Sequence, residues 1–102
     1  MKPHYSKNSV QPVIVNKVSD NLLSIKYREF PETVFYSKGV NYVTNGGVTK
    51  VYIDRCNINS NCKPMLETKL PLDESRMSEV FLPYNGEKIV MVYLDAEEQI
   101  YP

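Results

Sequence analysis

The sequence predicts a single, small all-β domain, and three observations carry that expectation. β-Branched and aromatic residues recur in short clusters, with eight tyrosines, while alanine occurs once and tryptophan never. Such side chains suit a pleated surface, and the near absence of alanine removes the best helix former. Short alternating apolar runs follow one another with turn signals at intervals of about ten residues, the spacing of a two-sheet fold. At 102 residues the chain has room for one modest core and not for two. The expected architecture is therefore a two-sheet antiparallel sandwich, immunoglobulin-like or fibronectin-like. A small β-barrel is the alternative, and an α+β arrangement would need a helix over 72–79, where Asp73 and Glu74 stand near a possible start.

Residues 1–11 are polar and read as a flexible N-terminal arm, 12–95 as the β domain, and 96–102 as an acidic tail that frays. Val13, Ile14, Val15 and Val18 mark a strand that Pro12 can open, because the first strand position needs no amide donor. Leu23, Ile25 and Tyr27 alternate with Ser24, Lys26 and Arg28, the mark of a half-buried strand. Val34-Phe35-Tyr36 offers a short apolar strand or bulge after Pro31. Val40–Thr44 and Val48–Asp54 flank Asn45-Gly46-Gly47, residues that enter the positive-φ region cheaply and so make a tight hairpin turn. Residues 65–70 suit a short strand. Val80–Leu82 and Ile89–Leu94 flank Asn85-Gly86, a second hairpin signal, and the apolar run Ile89–Leu94 reads as a central, covered strand.

Charge and motif content narrow the function classes. Twelve basic and twelve acidic residues give a formal net charge of zero, which disfavours a dedicated nucleic-acid binder. Basic residues dominate 1–63 and acidic ones 64–102, a polarity that cross-strand pairing in the folded chain would neutralise; the other reading is a dipolar surface that guides a partner. No stretch approaches the length of a membrane span, and residues 1–20 lack the apolar core of a secretory signal. His4 is the only histidine, so a hydrolase triad would depend on a residue in a loose arm. Asp73-Glu74 and Glu97-Glu98 are neighbours in sequence and read as solvated surface rather than acids held across a cleft. No catalytic residue is assigned and no cofactor is expected.

Cys56 and Cys62 are the most informative pair. They stand in an Asn/Ser-rich segment, Cys-Asn-Ile-Asn-Ser-Asn-Cys, and are expected to form a disulfide that closes a short loop. That bond points to an oxidising compartment: secreted, periplasmic or cell-surface, with any leader absent from this chain. A redox dithiol of the two-residue-spaced type is not present, and a metal site would need two more ligands, so no metal is expected. The functional expectation is a non-enzymatic protein-binding or structural module. It would contact a protein partner or further copies of itself through an edge strand or end loops. Tyr42, Asn45, Gly46, Gly47, Asn59 and Tyr84 are the candidate contact residues, because tyrosines and small polar residues near turns make adhesive surfaces at low entropic cost. The alternative is an intracellular nucleic-acid-binding or regulatory barrel, with turn-proximal tyrosines stacking bases.

Intact mass after thiol blocking under denaturing conditions distinguishes the two compartment readings. Protein made in an oxidising host is expected to lack two hydrogens and to take up no blocking reagent until reduced. Two freely blocked thiols would remove the case for an oxidising compartment.

Overall fold

Alternation decides which side chains go inward, and in the computed structural model it does so in ten strands; the structure describes residues 3–29, 32–68 and 77–102. The strands are β1 (Val13–Ser19), β2 (Leu22–Tyr27), β3 (Phe35–Tyr36), β4 (Gly39–Asn45), β5 (Val48–Ile53), β6 (Cys56–Asn57), β7 (Leu66–Glu67), β8 (Ser78–Pro83), β9 (Lys88–Val92) and β10 (Glu97–Tyr101). A three-residue 3-10 turn at Lys7–Ser9 precedes them. The protein is all-β, and no α-helix occurs among the described residues. The possible helix over 72–79 falls largely outside them, and its last two residues belong to β8.

The strands form a three-stranded sheet in the order β1-β2-β8, a five-stranded sheet in the order β10-β9-β5-β4-β7, and a small β3-β6 ribbon. None of them closes into a barrel. The inward residues of both larger sheets meet in one core. Leu23, Ile25 and Tyr27 of β2 and Val80 and Leu82 of β8 come from the first sheet. Val40, Val51, Ile53, Ile89 and Met91 come from the second. β1 lies beside β10, and β8 lies beside β4 and β7, so the two sheets approach each other along both margins.

Three features depart from the sequence expectations. First, pairing is antiparallel throughout except between β5 and β9, which run parallel with Val48 opposite Lys88 and Val51 opposite Met91. Second, Asn85-Gly86 does not make a hairpin. β8 pairs with β2 while β9 pairs with β5 and β10, so this turn carries the chain from one sheet to the other. Gly86 supplies the left-handed backbone at φ 92° that the crossing uses. The physical reason is burial: Val80 and Leu82 face the core from one side, and Ile89 and Met91 from the other. Crossing the core keeps all four dry. Third, described segments near both ends of the chain are packed. Tyr5 and Val10 are buried, the Leu94 amide donates to the Tyr5 carbonyl at 2.8 Å, and the Lys7 amide donates to Asp95 Oδ1 at 2.9 Å. The acidic tail becomes edge strand β10, with Glu98 paired to Lys7. Charged side chains on an edge strand discourage further strand addition there.

The charge polarity of the sequence resolves as pairing across the fold. Lys7–Glu98, Lys38–Glu67 and Lys50–Glu97 each join a residue from the basic first part to one from the acidic second part.

Gly39 marks the tightest approach of the backbone. A Cβ built there would lie 1.9 Å from the Leu66 carbonyl oxygen, where β4 pairs with β7. The requirement is space, because the obstacle is main chain that no rotamer change can move. Gly39→Ala is expected to lower stability by about 2 kcal/mol or more, read as a reduced midpoint in chemical denaturation. An unchanged midpoint would mean that β7 can shift without cost.

Candidate functional site

The β4–β5 hairpin sorts its residues into two faces. Val40–Ile53, Tyr42–Val51 and Thr44–Thr49 are cross-strand pairs of one phase, and Asn41–Tyr52, Val43–Lys50 and Asn45–Val48 are those of the other. Of the first set, Val40, Val51 and Ile53 lie in the core, Thr49 is buried and Tyr42 packs against the core, while Thr44 is exposed. The second set faces away from the core. Gly46 and Gly47 join the strands at φ 62° and 78°, a two-residue turn of the mirror-image kind that matches strand twist. The hairpin read from Asn45-Gly46-Gly47 is therefore present.

On the outward face Val43, Asn45, Val48, Lys50 and Tyr52 line an open groove of about 460 Å³. Val43 is exposed, and Val48 and Tyr52 are half-buried. The parallel partner β9 extends the same face, since Lys88 stands opposite Val48 and Val90 opposite Lys50. β10 completes it, with Gln99 opposite Val90 and Glu97 opposite Val92. Lys50 reaches Glu97 at 3.5 Å. The surface thus interleaves valine and tyrosine side chains with the amides of Asn45 and Gln99, the Lys88 side chain and the Lys50–Glu97 pair.

The six candidate contact residues are scattered by the fold. Asn45 lines the groove, and Gly46 and Gly47 form the tip beside it. Tyr42 packs inward against the core, on the other face of β4. Tyr84 is half-buried, with its ring edge-on to Tyr101 at 5.4 Å. Asn59 is exposed in the turn after β6, where its amide donates to Asn57 Oδ1. Val43, Val48, Lys50 and Tyr52 were not singled out by the sequence. Their shared outward phase, opposite to that of Val51 and Ile53, is the signal that could have found them.

A second constellation stands at the other end of the same ribbon. Cys56 and Cys62 form a disulfide, with Cys56 fully buried and Cys62 half-buried. Arg55 grips Glu32 through two hydrogen bonds, 3.1 and 2.9 Å, and lies 3.8 Å over the Phe35 ring. Beneath this, Tyr27 Oη and Ser37 Oγ share a 2.7 Å hydrogen bond, and both hydroxyls reach the Gly39 carbonyl. Tyr5 Oη, Glu29 Oε2 and Asp54 Oδ2 are buried with no hydrogen-bond partner among the described residues. Glu29 keeps the inward phase of Leu23, Ile25 and Tyr27, so strand alternation already pointed it at the core.

Burial dominates the electrostatics here. It pushes the Tyr5 and Tyr27 hydroxyls upward and the Glu29 carboxyl up to about 7. The Ser37 amide pulls Glu29 back, while Glu32 and Asp54 raise it further. Asp54 is likewise raised by burial and lowered by the charges of His4 and Lys38.

No family model, curated protein or solved structure matches this chain.

Glu29 sets a pH dependence with a defined sign. The folded state holds its proton up to about pH 7, whereas the ordinary value is 4.5. Its contribution is complete below the unfolded value and is lost as pH rises through the folded one. Glu29→Gln is expected to remove this decline and to raise stability at pH 8 by about 1 kcal/mol, a figure kept low for partial solvent screening. Urea midpoints at pH 5 and pH 8 measure it. An equal decline in the variant would assign the slope to another group.

Proposed function

We propose that this chain is a two-layer β-sandwich, immunoglobulin-like or fibronectin-like in the way two sheets share one core, that serves as a non-enzymatic protein-binding module outside the cytoplasm. The observation that carries the binding reading is the groove on the outward face of the five-stranded sheet. Val43, Val48 and Tyr52 give it apolar contact area, and Asn45 and Lys50 give it polar orientation. The hairpin that holds these residues is fixed by a two-glycine turn and by the buried undersides of β4 and β5, so the surface is preorganised. The partner is a protein surface or a second copy of the chain.

The Cys56–Cys62 disulfide supports the extracytoplasmic setting, because such bonds persist in oxidising compartments. No helix among the described residues is long and apolar enough to cross a membrane. The shielding of the Glu29 and Asp54 oxygens favours binding over catalysis, since general acid–base chemistry needs a proton-transfer group within reach of a substrate.

A photoreactive phenylalanine at Tyr52, with a control at Lys17 on β1, tests the surface. Irradiation in exporting cells of the source organism, and of the purified chain, is expected to give a discrete adduct from position 52 alone. Val43→Glu is expected to abolish it. No adduct, or equal adducts from both positions, would remove this face from the binding reading.

A further inference from the structure

We propose that Cys56 and Cys62, once reduced, form with Asp54 a binding site for one zinc-class divalent cation, with His4 swinging in from the N-terminal segment as the fourth ligand. The sequence alone offers two thiols and a remote histidine. The fold adds what was missing: a carboxylate oxygen of Asp54 and both sulfurs lie within 4.8 Å of one another. A tetrahedral zinc ion holds thiolate sulfur at about 2.3 Å and carboxylate oxygen at about 2.0–2.2 Å, so its donors stand roughly 3.4–3.8 Å apart. Side-chain movement within the loop covers that difference once the sulfur–sulfur bond is broken.

Three further observations favour a cation at this spot. Asp54 Oδ2 is buried with no hydrogen-bond partner among the described residues. Such an oxygen gains more from a metal ion than a solvated one would, because little water is displaced. Cys56 is fully buried, which shields one side of the site. His4 is exposed and lies outside the 4.8 Å cluster, so its ring must move to reach a bound cation. Asp54 itself is held in place, because its amide donates to the Gly39 carbonyl at 2.9 Å. The ligand set of two thiolates, a carboxylate and an imidazole matches the borderline-soft preference of zinc and not the all-oxygen preference of calcium or magnesium.

The chemistry balances with a named reductant. A dithiol gives up two electrons and two protons, becoming a disulfide, while the Cys56–Cys62 bond opens to two thiols. The cation then displaces both thiol protons to solvent and leaves two sulfur–metal bonds. The loop is thereby tied in either setting, by the covalent bond when oxidised and by the metal when reduced. The metal also ties the N-terminal segment through His4. None of its ligands lines the groove, so its failure would leave the binding reading untouched.

The test uses the full chain reduced with a phosphine, which water converts to its oxide, and titrated with cobalt(II) as the spectroscopic probe. The expected result is one cobalt per chain, with a thiolate-to-metal charge-transfer band, intense tetrahedral bands, and displacement by zinc. The oxidised chain is expected to show none of these. Asp54→Asn, with Asp54→Ser as a second variant, should weaken binding at least about tenfold. His4→Ala should weaken it and alter the tetrahedral bands. Far-UV circular dichroism on the same samples follows the β structure. Absence of the charge-transfer band, affinity indifferent to both Asp54 variants, or binding only after loss of β structure would each overturn the site. Unchanged bands in His4→Ala would overturn the fourth ligand.

Discussion

The parallel ladder between β5 and β9 is the constraint on which the rest of the fold depends. Four consecutive pairs, from Val48–Lys88 to Val51–Met91, place β9 inside the five-stranded sheet, next to the central β5. With β5 on one side and β10 on the other, β9 leaves no edge for β8, which pairs with β2 in the opposite sheet. The same placement gives β10 its only ladder partner and brings Glu97 within reach of Lys50 across β9. Parallel neighbours need a long connection, and here it includes the β3–β6 ribbon's second strand, β7 and all of β8. The disulfide and the Arg55–Glu32 grip stabilise the part of that connection nearest β5.

Strand character and facing were legible because they are local properties. The alternation of β2 puts Leu23, Ile25 and Tyr27 inward, and that of β5 puts Thr49, Val51 and Ile53 inward, while Ser24 on the other face of β2 is buried as well. The two-glycine turn was legible for the same reason, since positive φ is a requirement of single residues. Pairing partners were not. Asn85-Gly86 fixes a local backbone turn, and whether the following strand folds back or crosses the core depends on which sheet lacks an apolar row. Tyr5 and Val10 illustrate a different failure. Polar neighbours hide two apolar side chains that the fold buries, and the segment that carries them is anchored at Tyr5 by Leu94 and at Lys7 by Asp95 and Glu98, some ninety positions away in sequence.

The candidate site shows the same division. The disulfide could be read from two cysteines in a polar segment, because ring closure over a short loop is local geometry. Asn45 was reached through its turn. Tyr42 was named for its residue type, and its phase with Val51 sends it inward. The cluster of Tyr5, Glu29 and Asp54 draws on an N-terminal segment, the end of β2 and the residue after β5, so no window of sequence contains it. Only Glu29 carried a local clue, in its register with Tyr27.

The β4–β5 ribbon separates these two constellations and couples them to one rigid element. Asn45 and Val48 stand at its tip, and Gly39 and Ile53 at its base. Six residues of extended chain span about 20 Å, at roughly 3.3 Å per residue. That exceeds the range of about 7–10 Å within which substitutions usually interact. The tip residues Asn45 and Val48 can therefore vary in side-chain chemistry without disturbing the polar base, whereas Tyr52 at the near end of the groove adjoins it. The base in turn holds the ribbon by the Asp54–Gly39 hydrogen bond and by the close seating of Gly39 against Leu66. Rigidity at one end and chemical freedom at the other is the division of labour that a recognition surface requires, since preorganised contacts cost less entropy to form than flexible ones.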